Sequence, residues 1–207
     1  MNLFLASSIE SSIDLCIETW GLNTELTPTL YIPTAKNDQA DTSPLEERGS
    51  YRCLMTRNFQ VTVCDLASTT TTELKDILSK TKLVVVGGGN TYVLLHYMKR
   101  IGFASLIKDF LSRGGLYVGS SAGSCVCSPD IAYIETQDDP TAAPDLADTK
   151  GLDLIDVDLY PHCIEPWYTD NYDAEYVIRS HQNMRPKIFL RDHQALLVRD
   201  DMYKIVS

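Results

Sequence analysis

The chain has 207 residues, of which 44% are hydrophobic and 22% charged; this is enough for a sizeable core and suits one domain over 1–207 better than two small ones. Eighteen Lys and Arg against 28 Asp and Glu give a formal net charge of −10, which repels phosphate backbones and anionic lipid and argues against nucleic-acid or polybasic membrane roles. Eleven Gly and nine Pro are ordinary numbers that exclude a fibrous repeat or a low-complexity chain.

In chain order, short apolar runs alternate with helical patterns. The N-terminus, Met1-Asn-Leu-Phe-Leu-Ala6, lacks a basic region and predicts a first buried strand over 2–6 rather than a signal peptide. Further strands are expected at 29–32, 59–66, 82–86 and 116–119, where continuous apolar or β-branched runs suit burial on both faces of a sheet. Thr70-x-x-Glu73 reads as a capping box opening a helix over 71–80. Over 91–100 the residues Val93, Leu94, Tyr97 and Met98, continuing to Ile101, share one helical face. Leu106, Ile107, Phe110 and Leu111 do the same over 105–113, before Gly114-Gly115 ends that helix. From Asp130 to about Gly151 the periodicity fails, and Asp138, Asp139, Asp145 and Asp148 mark a long acidic loop. A strand at 152–160, a polar helix near 169–182 and short strands at 187–190, 195–198 and 202–206 complete the chain. Strands alternating with helices define an α/β fold, a mainly parallel central sheet covered on both faces.

No segment approaches the roughly 20 apolar residues of a membrane span. The six cysteines (Cys16, Cys53, Cys64, Cys125, Cys127, Cys163) have no C-x-x-C spacing and read as reduced thiols of a cytoplasmic protein. The four histidines form no HxH or HExxH pair, so no metal site is expected.

The sharpest chemical feature is Gly119-Ser120-Ser121-Ala122-Gly123, which follows a predicted strand and precedes a small-residue helix. This G-x-S-x-G pattern holds a serine on a tight turn whose following N–H groups face a reacting carbonyl oxygen. Ser121 takes the central place and Ser120 is its neighbour. A second loop, Gly87-Gly88-Gly89-Asn90-Thr91, ends another buried strand at a helix start. It reads plainly as a glycine turn with Asn90 as helix cap. A dinucleotide fingerprint is incomplete, because Tyr92 stands where the third glycine belongs. Glycine N–H groups at a helix N-terminus can instead hold an oxyanion or a substrate carboxylate. A serine nucleophile needs a base and an orienting acid. His162, in Tyr160-Pro161-His162-Cys163, leads over His193; His96 falls on a helix and His181 at a helix end. Asp192 is a candidate acid, with Asp138 and Asp139 as rivals.

Val86-Gly-Gly-Gly-Asn-Thr91, Gly115-Leu-Tyr-Val-Gly-Ser-Ser-Ala-Gly123 and Tyr160-Pro-His162, in this order, resemble the peptidase E (aspartyl dipeptidase) family of serine peptidases, whose relatives include cyanophycinases. The similarity runs from 2–6 to Leu190-Arg-Asp-His-Gln194. It implies the three-layer sandwich of class I glutamine amidotransferases, with Ser where those enzymes carry Cys. It also implies Ser121 as nucleophile, His162 as general base and acid, and Asp192 at the acidic position, often Glu in the family. Asp138 matches an alternative acid placed in the loop after the elbow. Gly88, Gly89 and Ala122 match the oxyanion-hole region, while Asn90 and Thr91 match the substrate end.

The Arg-rich segment of peptidase E is absent here: residues 165–175 contain no Arg and the first one following is Arg179, so aspartyl specificity does not carry over. Trp167, Tyr168 and Tyr172 read either as an apolar wall of the site or as residues of a surface helix. The expected activity is hydrolysis of small peptides by a Ser-His-Asp triad, without cofactor or metal, in a monomer or homodimer. Other expectations on the same residues are a cyanophycinase-like hydrolase, an esterase or a non-catalytic ligand-binding relative. The net charge is compatible with peptides bearing a cationic amino group; 138–148 reads first as a solvated acidic loop and second as the place where such an attraction acts.

Overall fold

The computed structural model describes residues 1–36, 44–163, 185–200 and 202–207. The helix expected near 169–182 lies outside them, as do Trp167, Tyr168, Tyr172, Arg179 and His181.

Seven strands form the main sheet: β1 (Asn2–Ala6), β2 (Pro28–Ile32), β3 (Gln60–Val63), β4 (Leu83–Val86), β5 (Leu116–Ser120), β8 (Ala195–Arg199) and β9 (Met202–Val206), in the order β3-β2-β4-β5-β1-β8-β9. The pairings from β3 through β1 are parallel; β8 and β9 add antiparallel neighbours beyond β1. Two further strands, β6 (Asp158–Tyr160) and β7 (Lys187–Phe189), form a separate parallel pair. The helices are α1 (Ile9–Trp20), α2 (Gly49–Met55), α3 (Thr71–Lys80), α4 (Thr91–Arg100), α5 (Phe103–Ser112) and the short α6 (Ala122–Cys125).

The period-two pleat explains why the strands read as unbroken apolar runs. Along β1, Leu3 and Leu5 enter the core on one face and Phe4 and Ala6 that on the other; in β4, Val84 and Val86 oppose Leu83 and Val85. The first face is covered by Leu74 and Leu78 of α3, Leu94 and Met98 of α4, and Phe103 and Ile107 of α5. Ile9, Ile13 and Cys16 of α1 with Leu54 of α2 cover the second. Each aliphatic side chain removed from water in this way contributes about 1.5–3 kcal/mol. Helices on both faces of a mostly parallel sheet give the α/β sandwich that the sequence predicts.

The capping box is formed: the Glu73 N–H donates to Thr70 Oγ1 at 3.3 Å, and the Thr70 N–H donates to Glu73 Oε2 at 2.9 Å. The sequence reading assigns no helix to the segments that form α1 and α2. Their apolar spacing is interrupted by Ser11 and Ser12 in α1 and by Gly49 and Ser50 in α2, residues of lower helix propensity. The strand expected over 152–160 is confined to Asp158–Tyr160. Upstream, the N–H groups of Leu152 and Leu154 go to the carbonyls of Val126 and Cys127 at 2.7 and 2.8 Å, so this stretch packs behind α6 instead of joining a ladder. The acidic loop holds two 3₁₀ turns, Ala132–Thr136 and Pro140–Ala142.

Candidate active site

β1, β4 and β5 run parallel and end on the same edge, where open α/β sheets place their sites. Ser121 follows β5 directly and adopts φ 52° and ψ −114°, a backbone conformation that costs a non-glycine residue of order 1–3 kcal/mol. It is held there by its neighbours: its N–H donates to the Ala6 carbonyl at 3.1 Å, and its own carbonyl accepts from Ser124 N–H at 2.7 Å and Cys125 N–H at 3.0 Å. The two glycines of the pattern allow this turn to close. A Cβ at Gly119 would lie 2.5 Å from the Gly123 carbonyl oxygen, and one at Gly123 would collide with the Val86 carbonyl. Ser120 is buried, and its Oγ accepts the Ile9 N–H at 3.0 Å, serving the N-terminus of α1. The two cysteines near the turn are inert by burial, which pushes the Cys127 thiol up to about 12 and the Cys125 thiol well above its ordinary value.

The register of the small sheet brings the next two groups together. Tyr160 pairs with Phe189, the Leu190 N–H donates to the Tyr160 carbonyl, and the Cys163 N–H donates to that of Leu190, both at 2.9 Å. His162 and Asp192 therefore leave neighbouring strand ends side by side. His162 Nε2 lies 3.0 Å from Ser121 Oγ, and its Nδ1 lies 2.5 Å from Asp192 Oδ1. Both side chains are largely buried, 13% and 20% exposed, so the pair is shielded from bulk water but open to the cleft. A carboxylate can only accept, so Nδ1 carries the proton and Nε2 offers its lone pair to the serine hydroxyl. The rival His193 is exposed in the turn beyond Asp192, and His96 packs its ring edge-on against Tyr97.

The glycine loop lies against the serine: a Cβ at Gly88 would be 3.1 Å from Ser121 Cβ. The N–H groups of Gly88, Gly89 and Ala122 donate to no acceptor among the described residues; Gly88 and Gly89 line the same cleft as Ser121, and Ala122 follows it directly in the chain. Asn90 and Thr91 are buried. Asn90 Oδ1 caps α4 through the N–H groups of Tyr92 and Val93 at 2.9 and 3.0 Å, the plain reading of that residue. The Thr91 N–H donates to Asp138 Oδ2 at 2.8 Å, placing the alternative acid at the start of α4, where a carboxylate also complements the helix dipole. Asp139 Oδ1 accepts from the Thr141 N–H and hydroxyl, which hold its carboxyl below the usual range, and its carbonyl accepts from Asn90 Nδ2. Asp148 is likewise lowered, first by its hydrogen bond with Lys99 and then by the Lys150 N–H. Three of the acidic-loop carboxylates thus brace the loop against α4 and against itself.

A cleft of about 340 Å³ opens over these groups, lined among the described residues by Ser7, Ser8, Glu10, Lys36, Ser50, Gly88, Gly89, Ser120, Ser121, His162 and Asp192. Ser7, Glu10 and Lys36 carry no motif in the sequence. Only the topology, which sets the end of β1 beside that of β5 and the end of β2 beyond β4 on the same edge, brings them here. Glu10 accepts from Ser8 Oγ and Ser50 Oγ, both at 2.8 Å, so the carboxylates lining the cleft among the described residues, Asp192 and Glu10, come from the turn before β8 and from α1 rather than from the acidic loop.

A serine, a histidine and an aspartate in hydrogen-bonded line at the carboxyl edge of a parallel sheet are the architecture of a serine-type hydrolase. The family model for peptidase family S51 matches residues 12–206, and the chain belongs to that family of serine peptidases. It is 31% identical over 205 residues to an uncharacterized peptidase of Pasteurella multocida (strain Pm70), covering 97% of this chain and 94% of that one. Against peptidase E of Salmonella typhi it is 37% identical over 93 residues, 45% of this chain and 37% of the relative. A 1.5 Å crystal structure of a candidate peptidase E protein from Listeria monocytogenes EGD-e superposes with a TM-score of 0.87 at 30% identity, over 99% of this chain and 97% of that one. A peptidase from an acI-B1 Actinobacterium shares the fold, with a TM-score of 0.69 at 16% identity over 99% and 86%.

Proposed function

We propose that this chain acts as a single catalytic unit that hydrolyses small peptides through an acyl-enzyme on the triad Ser121, His162 and Asp192. The observation that carries this reading is the unbroken line from Asp192 Oδ1 through both ring nitrogens of His162 to Ser121 Oγ, at 2.5 and 3.0 Å. His162 Nε2 takes the hydroxyl proton as Ser121 Oγ attacks the scissile carbonyl carbon, and Asp192 stabilises the imidazolium that forms. The N–H groups of Gly89 and Ala122, with Gly88 beside them, hold the tetrahedral oxyanion. His162 then gives its proton to the leaving amine, and a water activated by the same nitrogen releases the acyl group. The chemistry asks nothing of a metal or organic cofactor. A cleft of about 340 Å³ sits at the small end of ligand-site volumes and suits a short peptide. Asn90 and Thr91 define the substrate end of this cleft indirectly, by fixing the glycine loop at the start of α4. The six free, buried cysteines fit a reducing compartment such as the cytoplasm.

The test is a panel of dipeptides, β-aspartyl peptides and aryl esters assayed on wild type and on Ser121→Ala. Selective dipeptide turnover that Ser121→Ala abolishes supports the proposal. Retained turnover in that variant refutes the serine assignment. An ester or β-aspartyl preference shifts the substrate class while leaving the triad in place.

A further inference from the structure

Ser7 is fully buried at the end of β1, beyond the main sheet and beneath the line of groups just described. Its Oγ accepts the backbone N–H of His162 at 2.7 Å and lies 3.1 Å from Asp192 Oδ1. An amide can only donate and a carboxylate can only accept, so the direction of the Ser7 hydroxyl proton is fixed: it points at Asp192. The same Oδ1 receives the Nδ1–H of His162 at 2.5 Å. A closed ring results, running from the His162 backbone N–H through the Ser7 hydroxyl and the Asp192 carboxylate to the imidazole of His162. The Ser7 N–H in turn donates to the Gln194 carbonyl at 3.1 Å, tying this serine to the turn that carries Asp192.

Resting on the triad reading above, we propose that Ser7 is a positioning residue of the active site. It fixes the backbone from which the imidazole projects and the carboxylate that orients it. His162 sits at φ 60°, a left-handed conformation that a residue with a side chain holds only when its surroundings impose it, and the bond from its N–H to Ser7 supplies that restraint. Asp192 Oδ1 accepts two donors at once, which holds the carboxylate in one rotamer and the proton of His162 on Nδ1. Nε2 then faces the Ser121 hydroxyl as the acceptor of its proton. Ser7 Oγ is fully buried and hydrogen-bonds to His162 and Asp192 rather than to Ser121, so its removal acts on the rate of proton transfer more than on substrate affinity.

The experiment compares Ser7→Ala, Ser7→Cys and Ser7→Thr with wild type in kcat and KM, in the rate of fluorophosphonate labelling of Ser121, and in the low-field proton resonance of His162 Nδ1–H. Ser7→Ala is expected to lose about 10- to 100-fold in kcat and in labelling rate, by analogy with the loss on removing hydrogen-bond partners that orient metal-ligating histidines. KM should stay within about twofold and the Nδ1–H resonance should shift or broaden. Ser7→Cys, which keeps the volume but donates weakly, should resemble Ala, and Ser7→Thr, which keeps the hydroxyl, should recover most of the rate. Full rate in Ser7→Ala, or recovery in Ser7→Cys equal to that in Ser7→Thr, makes Ser7 a packing residue and overturns the proposal. Should Ser7→Ala lose rate by unfolding at the assay temperature, the resonance is read on the folded protein in the cold, and an unchanged signal overturns it. If Ser121→Ala keeps activity, the triad itself fails; the ring around Ser7 is then judged on the His162 resonance alone.

Discussion

The sheet has a hollow at each end. At the carboxyl edge lies the cleft of about 340 Å³ over Ser121; at the opposite edge a hollow of about 380 Å³ is bounded by Trp20, Leu22, Phe110, Arg113 and Gly115. Volume does not separate them. The first gathers a serine in a strained turn, a histidine and an aspartate in line, and a glycine loop packed against the serine. The second has a cation, Arg199, over the Trp20 ring at 4.3 Å and an exposed i,i+4 pair of Arg113 with Asp109, both ordinary surface contacts. Convergence of polar groups on one atom, and backbone strain tolerated to aim it, distinguish a reaction site from a gap between a helix and a sheet.

That contrast breaks most visibly at the nucleophile. Ser121→Ala should lower kcat by roughly four to six orders of magnitude with the melting temperature nearly unchanged, measured by steady-state kinetics and thermal unfolding. Asp192→Asn should follow with a loss of about three to four orders, because an amide in the acceptor's place favours the wrong histidine tautomer. Should Asp138→Asn cost as much while Asp192→Asn costs little, the acid has been misassigned. Gly123→Ala tests the turn itself. A methyl facing the Val86 carbonyl should destabilise the fold by about 1–3 kcal/mol in urea unfolding and slow labelling of Ser121. At the other end of the sheet, Arg113→Ala should leave kcat/KM within about twofold.

The parallel strands, α3 and α4 were legible because their apolar spacing and caps are local, as Thr70-x-x-Glu73 and Asn90 illustrate. The glycine-serine turn was legible for a related reason, since close approach admits only glycine at 119 and 123, and that requirement is written into the chain. Residue types and spacing alone rank His162 and Asp192 among rivals without joining them; the family resemblance implies the pair, and the physical link is the pairing of β6 with β7 across residues 158–189. Ser7 and Glu10 were invisible: a serine after a strand and a glutamate in a helix's first turn are common, and their roles here arise only from where β1 ends relative to β5. The acidic loop is conspicuous by its charge, yet Asp138, Asp139 and Asp148 serve the loop and α4, and the carboxylates lining the cleft are Asp192 and Glu10 of α1.

The cysteines give the smallest effect. Burial raises the thiols of Cys53 and Cys127 to about 12 and those of Cys16, Cys64 and Cys125 above their ordinary value. Native protein should therefore react slowly with a disulfide reagent at pH 8, and all six thiols should titrate after unfolding. Since these folded values lie above an unfolded one of about 8.5, the stability they represent is complete below that pH. It should fade as pH rises toward about 12, visible as a falling urea midpoint.

The central claim is that one serine at the end of β5 is the nucleophile and that His162 activates it. Fluorophosphonate labelling followed by peptide mapping tests it most directly. The account predicts a single adduct on Ser121 that forms at least a thousandfold more slowly in His162→Ala, roughly the loss expected when a triad base is removed. An adduct on Ser120 or elsewhere, or one on Ser121 whose rate ignores His162, would contradict it.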